Sequence, residues 1–192
     1  MKKILVLDGS LHGKGGNTSV LMDCLLAELN SQVCIDYLEL RNCAEIVNEE
    51  KRFSEAAGFI FATGTYWQSW SHHAQRFFEQ ATPWEGSDIW LGKPVCTLVT
   101  MHSVGGMEVL SRIQSNFSLL GAVIPPMCAM VHSYVNQLAS QAQTKESESL
   151  DIWGVHDLSM VAHNLLEAVN HTHNYKAWHV DTLDAASKIW ME

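Results

Sequence analysis

Three stretches of the sequence carry residue types and spacings suited to holding an anion or a planar ring. The first reads Gly9-Ser10-Leu11-His12-Gly13-Lys14-Gly15-Gly16-Asn17-Thr18-Ser19. Its glycines let backbone approach a ligand closely, and Ser10, Asn17 and Thr18 offer hydrogen bonds. A helix beginning at its end adds free N–H groups with partial positive charge. Together these features describe a phosphate cradle. The spacing is not that of a P-loop, because no Gly-Lys-Ser/Thr follows, and G-x-G-x-x-G is absent. A flexible glycine turn leading into a capped helix is the plain structural alternative.

The second stretch is Gly64-Thr65-Tyr66-Trp67-Gln68-Ser69-Trp70-Ser71, followed by His72-His73. Aromatic side chains there can stack on a planar ring, although an aromatic cluster also suits a core or a subunit interface. His72 and His73 read as ordinary first-turn helix residues, with ligand contact as the alternative. The third is Thr100-Met101-His102-Ser103-Val104-Gly105-Gly106-Met107-Glu108. Successive N–H groups at such a turn can stabilise negative charge.

Positioning these loops falls to an alternation of strand and helix patterns. Ile4-Leu5-Val6-Leu7 is a continuous apolar run of the kind buried on both faces of a sheet. Asn17 and Thr18 offer caps for a helix in which Val20, Leu21, Cys24, Leu25 and Leu29 recur through Asn30. A second strand fits 33–40, and a third fits 58–62. A helix over 71–80 is ended by Pro83 and Gly86. A fourth strand spans 95–100, and a helix from about 107 to 120 is closed by Gly121. Ala122-Val123-Ile124 reads as a short fifth strand stopped by Pro125-Pro126. Residues 127–150 show no clear periodicity, and 141–149 read as a surface loop or exposed helix end. A last helix fits 157–169, with Leu158, Val161, Leu165, Leu166 and Val169 on one face. The tail, 171–192, has little core character beyond Leu183, Ile189 and Trp190, and is expected to dock on the domain or on a partner subunit.

Strands alternating with helices require right-handed parallel crossovers, which predicts an α/β three-layer sandwich with a five-stranded parallel sheet. Ligands in such sheets bind at the carboxyl ends of the strands. The loops leaving the first, third and fourth strands should therefore converge.

Composition narrows the function classes. The chain has 192 residues, of which 47% are hydrophobic, enough for one buried core. A formal net charge of −9 with scattered basic residues argues against nucleic-acid binding. No apolar stretch approaches the roughly 20 residues needed to span a bilayer, and Met1-Lys2-Lys3 leads into no signal-peptide pattern, so a cytoplasmic location is expected. The five cysteines are odd in number and never spaced C-x-x-C, which reads as reduced, mostly buried thiols. His163, His171, His173 and His179 lack cysteine partners or a helical H-x-x-x-H spacing, so no metal site is assigned.

On the first loop the chain resembles the NADPH-dependent FMN reductase and flavodoxin-like quinone reductase superfamily, whose loop commonly runs G-S-x-R-x-G-G-N-T. His12 stands at the arginine position, a weaker phosphate partner, with Lys14 as the compensating cation. The second and third loops are similar to that superfamily's P-T/x-Y/F-x-G/N-x-S segment and its glycine-rich turn. The resemblance covers about residues 3–126 and implies a flavodoxin-like sheet of order 2-1-3-4-5. Residues 1–170 then form an FMN-binding domain, with 171–192 its C-terminal extension.

Carried onto this sequence, the resemblance implies flavin contacts from Ser10, His12, Gly16, Asn17 and Thr18; from Thr65, Tyr66, Trp67, Gln68 and Ser69; and from His102, Ser103, Gly105 and Gly106. It implies non-covalent FMN, NAD(P)H as reductant, and a small aromatic acceptor such as a quinone, nitro or azo compound or free flavin. It also implies a homodimer or homotetramer. The flavin carries the chemistry, so no side chain is assigned as a catalytic acid or base. No second glycine-rich fingerprint for a nicotinamide nucleotide is present, which predicts that reductant and acceptor use one face in turn. Two alternatives stand beside this reading: an electron-transfer shuttle without NAD(P)H activity, and a flavin-free interaction protein.

Overall fold

The computed structural model describes residues 1–29, 31–142 and 154–178. Five parallel strands form one sheet: β1 (Lys3–Asp8), β2 (Cys34–Glu39), β3 (Gly58–Gly64), β4 (Val95–Met101) and β5 (Ala129–Ser133). Their order is β2-β1-β3-β4-β5, with Leu5 opposite Phe59, Phe61 opposite Thr97, and Val99 opposite Val131. This is the flavodoxin-like arrangement that the alternating pattern and the resemblance predict. Among the described residues six α-helices flank it: α1 (Asn17–Leu29), α2 (Glu50–Glu55), α3 (His72–Ala81), α4 (Gly106–Leu120), α5 (Tyr134–Ala142) and α6 (Leu158–Asn170). Among the described residues no helix is long and apolar enough to cross a membrane.

Continuous apolar strands supply two cores because successive side chains point to opposite faces. Ile4, Val6, Ile60, Ala62 and Leu98 pack with Leu21 and Leu25 of α1 and Leu158 and Leu165 of α6. Leu5, Leu7, Phe59, Phe61 and Val99 pack on the other face with Phe53 of α2, Phe77 of α3, and Ile113 and Phe117 of α4. The second core is aromatic: Trp90 lies 4.7 Å from Phe59 and 5.7 Å from Phe117, centroid to centroid. Burying one such ring contributes about 1.5–3 kcal/mol, so both layers are firmly attached to the sheet.

The expected fifth strand is corrected. Residues 122–124 make only an isolated bridge, Val123 to Pro94, because Pro125 and Pro126 lack the N–H groups needed to continue a ladder. The edge strand is instead Ala129–Ser133, and α5 follows it, both within the stretch that shows no periodicity. A second difference is α2, preceded by two 3₁₀ turns, in a segment the sequence reading leaves unassigned. Other elements agree within a residue or two of each end. The cysteines are free, with Cys43, Cys96 and Cys128 buried, Cys24 half-buried and Cys34 exposed. Asn30, most of the polar run 141–149 and the tail beyond 178, including His179, Leu183, Ile189 and Trp190, lie outside the described residues. The described tail docks on the domain: the Trp178 indole N–H donates to Glu85 at 3.0 Å.

The joint between sheet and α3 is made by Ser71. Its hydroxyl caps the helix by accepting from the Ala74 N–H at 3.1 Å, and it donates to the Gly9 carbonyl at the start of the first loop. Replacing Ser71 with Ala is expected to lower unfolding free energy by about 1 kcal/mol or more, read from a urea titration. An unchanged midpoint would show that the cap does not hold the loop.

Candidate functional site

The first loop leaves β1 around a buried carboxylate. Asp8 is 1% exposed; its Oδ1 accepts the Ser10 N–H at 2.9 Å and its Oδ2 accepts the Tyr37 hydroxyl at 2.8 Å. Burial, and then the bond to Asp8, push the Tyr37 hydroxyl well above its ordinary range, so it remains a donor. Ser10, itself buried, accepts the Gly13 N–H at 3.1 Å, and the Ser19 hydroxyl accepts the Gly15 N–H at 2.9 Å. The first backbone bond into α1 runs from Val20 N–H to the Gly16 carbonyl at 3.2 Å. Asn17, Thr18 and Ser19 thus begin the helix, where N–H groups have no intrahelical acceptor.

Cross-bonds bring the other two loops onto the first. The Leu11 N–H donates to the Tyr66 hydroxyl at 3.3 Å, and the Thr18 and Thr100 hydroxyls bond at 2.7 Å. A Cβ on Gly105 would lie 3.4 Å from Thr65 Cγ2, so the second and third loops are also in contact. The loops after β1, β3 and β4 converge, as the topology predicts.

Between them opens a cavity of about 570 Å³, within the usual size of a small-molecule site. Ser10, His12, Gly16, Asn17 and Thr18 line it from the first loop, and Thr65, Tyr66 and His102 from the other two. The remaining expected contacts are placed elsewhere. Trp67 and Gln68, at φ 48° and 61°, form the tip of a two-residue hairpin, and Ser69 pairs back to Tyr66. Trp67 is consequently fully exposed and outside the cavity wall. Ser103, Gly105 and Gly106 are not on the wall either. Gly106 is buried against β5: a Cβ there would meet Val131 Cγ1 at 2.4 Å and Met101 Sδ at 2.8 Å.

The sequence reading misses part of the wall. Val20, Leu21 and Cys24 extend it along α1, and His132, Tyr134 and Gln137 close it from β5 and α5. The helical period places the α1 residues together; nothing local in the sequence places β5 beside β4. Lys14 is also redirected: its ammonium sits 5.1 Å above the Tyr37 ring and is not on the wall. The cation packed against the loop is Arg41, whose Nε would be 2.6 Å from a Cβ on Gly13.

Two residues of the wall test whether a polar ligand fits. Thr65 Oγ1 and His132 Nδ1 are buried and have no hydrogen-bond partner among the described residues. Buried polar atoms are ordinarily satisfied, so this pair marks unmet bonding capacity among the residues of the wall. The set suits a ligand with an anionic end and a polar heterocycle, which FMN is. Just outside the wall, burial and then the neighbouring His72 hold the His73 imidazole below its ordinary 6.5.

Gly106→Ala is expected to cost about 1–3 kcal/mol of stability through overpacking, measured by thermal or denaturant unfolding, although its position in the turn is compatible with ligand contact by sequence alone. His73 gives a pH prediction. Its folded pKa is depressed, so the unfolded chain binds the extra proton and stability falls as pH drops through about 6.5. The difference in stability between the wild-type protein and His73→Asn should shrink or reverse below that pH; a pH-independent difference would contradict the assignment.

Comparison with known proteins agrees with this geometry. No curated protein matches the chain in sequence. Among solved structures, RosB with bound 8-demethyl-8-formylriboflavin-5'-phosphate superposes with a TM-score of 0.69 at 12% identity, covering 98% of this chain and 95% of that one. The FerB NAD(P)H:(acceptor) oxidoreductase from Paracoccus denitrificans gives 0.58 at 15% identity, covering 88% and 97%. An archaeal flavodoxin gives 0.59 at 14% identity, covering 89% and 100%. These likenesses establish the fold. The family model of the NADPH-dependent FMN reductases matches residues 2–137, which takes in all three loops and every strand of the sheet, and the chain belongs to that family.

Proposed function

We propose that the chain is an FMN-dependent NAD(P)H oxidoreductase that passes reducing equivalents to a small aromatic acceptor: a quinone, a nitro or azo compound, or free flavin. The observation that carries this reading is the convergence of three loops on one cavity whose wall includes the helix start at Asn17 and Thr18 and also Thr65, with its buried, unpartnered hydroxyl. RosB and FerB, which share the fold, are described respectively with a bound flavin phosphate and as an NAD(P)H oxidoreductase, and both descriptions agree with it.

FMN, when bound, supplies hydride acceptance from the nicotinamide and its later release to the acceptor. The chain's residues supply binding and orientation. Backbone N–H groups of Asn17 and Thr18, with the Ser10 hydroxyl, would hold the phosphate at the helix start, where the peptide dipoles favour negative charge. Asp8 and Tyr37 keep the loop in that shape by fixing Ser10 and the end of β1. Thr65 and His102 would bond the polar edge of the ring system, and Tyr66, tied to Leu11, would bridge its two ends. The exposed Trp67, Gln68 and Ser69 hairpin and the turn at Ser103, Gly105 and Gly106 would approach the ring from outside the wall. No side chain is required to move a proton as a strong acid or base. Reductant and acceptor would use one open face in turn. We further read residues 1–170 as the FMN-binding domain with 171–192 as its extension, in a cytoplasmic homodimer or homotetramer.

The test is anaerobic mixing of the FMN-loaded protein with NADPH or NADH in a stopped-flow spectrometer. Loss of the flavin's visible absorbance on mixing, with parallel double-reciprocal plots when an acceptor quinone is varied, is the expected result. Retained flavin that does not bleach would replace this reading with an electron shuttle. Failure to retain flavin would overturn both.

A further inference from the structure

At the amino ends of the strands, the far end of the sheet from the three loops, a groove of about 310 Å³ opens beside the last turn of α4. The Gly86 and Gly92 N–H groups donate to the Leu120 and Gly121 carbonyls at 2.9 and 3.0 Å, which ties the segment before β4 to the end of α4. Leu91, Leu119, Ala122 and Val123 line the groove, and the chain's own Tyr175 to Trp178 complete its wall. That stretch is held at two points. The Tyr175 ring passes over Gly92, where a Cβ would lie 3.4 Å from its Cδ2, and the Trp178 indole N–H donates to Glu85 at 3.0 Å. Leu119, Tyr175 and Trp178 nevertheless stay 57%, 52% and 63% exposed. Three large apolar side chains around one apolar groove mark a surface that a further element covers.

We propose that residues 179–192 of the same chain occupy this groove and fasten the C-terminal segment across the amino ends of the sheet. Continuity favours that occupant. Trp178 is on the groove's wall, so residue 179 begins one Cα step, about 3.8 Å, from it. The fourteen residues 179–192 span about 21 Å even at the helical rise of about 1.5 Å each, enough to run along a groove of this volume. Their sequence supplies the apolar partner. Leu183, Ala186 and Trp190 recur at i, i+3 and i+7, the spacing of one stripe on a helix, with Ile189 beside them. Charge agrees: Lys176 is on the wall, and Asp181 and Asp184 come early in the segment. A segment tethered one peptide bond from its groove also meets it at an effective concentration on the order of millimolar, which favours it over a second copy. The inference is independent of the oxidoreductase reading.

Limited trypsin digestion of the full-length protein, read by mass spectrometry, is the test. The bond after Lys188 is the reporter, because its cleavage removes Ile189 to Glu192. Leu119→Glu, at a position already more than half open to water, is expected to speed that cleavage at least tenfold over wild type. Val47→Glu, equally exposed but outside the groove, should change it by less than about twofold. A reciprocal variant, Leu183→Ser with Trp190→Ser, leaves the groove's own residues in place and should speed amide exchange at Gly121 to Val123 about threefold or more. Equal cleavage of wild type and Leu119→Glu, or unchanged exchange in the reciprocal variant, would overturn the inference. Protection of Lys188 that fades on dilution of the wild-type protein would assign the groove to a second copy, and that too would overturn it.

Discussion

Everything at the carboxyl end of the sheet depends on how the chain leaves β1. Asp8 is buried there, and its two oxygens are held by the Ser10 N–H and the Tyr37 hydroxyl. The next carbonyl, Gly9, accepts from both Thr63 and Ser71. One short segment is therefore tied to β2, to β3 and to the start of α3. With the loop fixed, the beginning of α1 at Asn17 and Thr18 lies on the wall of the cavity. A buried carboxylate close to the proposed phosphate position would oppose an anion, so the bonds that hold Asp8 to Ser10 and Tyr37 matter to the reading. On the proposed reading, binding an anion in an acidic protein is a matter of local geometry and not of overall charge.

The two cores serve that geometry differently. On one face, α1 packs through Leu21, Met22, Leu25 and Leu29, which sets the height and direction of its N-terminus above the sheet. On the other, the aromatic cluster around Phe61, Phe77, Phe117 and Trp90 locks α3 and α4, whose starts carry the second and third loops. Close packing of large rings resists small displacements. The Thr18 to Thr100 and Leu11 to Tyr66 bonds then connect loops whose helices belong to opposite layers.

Much of this was legible because single residues carry strong signals. Runs such as Ile4 to Leu7 mark strands buried on both faces, and Gly, Ser, Asn and Thr mark the strand-to-helix junction that lines the cavity. The misses have physical causes. Ala122-Val123-Ile124 looks like a strand, yet the prolines after it cannot donate to a ladder, whereas Ala129–Ser133 is a real edge strand that alternates too briefly to stand out. The second loop reads as a row of contacts, but Trp67 and Gln68 adopt the left-handed backbone of a tight hairpin, a conformation their residue types do not advertise. His132, Tyr134 and Arg41 join the region only through tertiary structure.

The central claim is that loops 9–19, 64–71 and 100–108 form one flavin site. Amide hydrogen exchange of the protein with and without FMN tests it most directly. Added slowing concentrated in Ser10, Gly16 to Ser19, Thr65, Tyr66 and His102 is the predicted result. Slowing confined to any other part of the sheet or its helices, with those amides unaffected, would contradict the account.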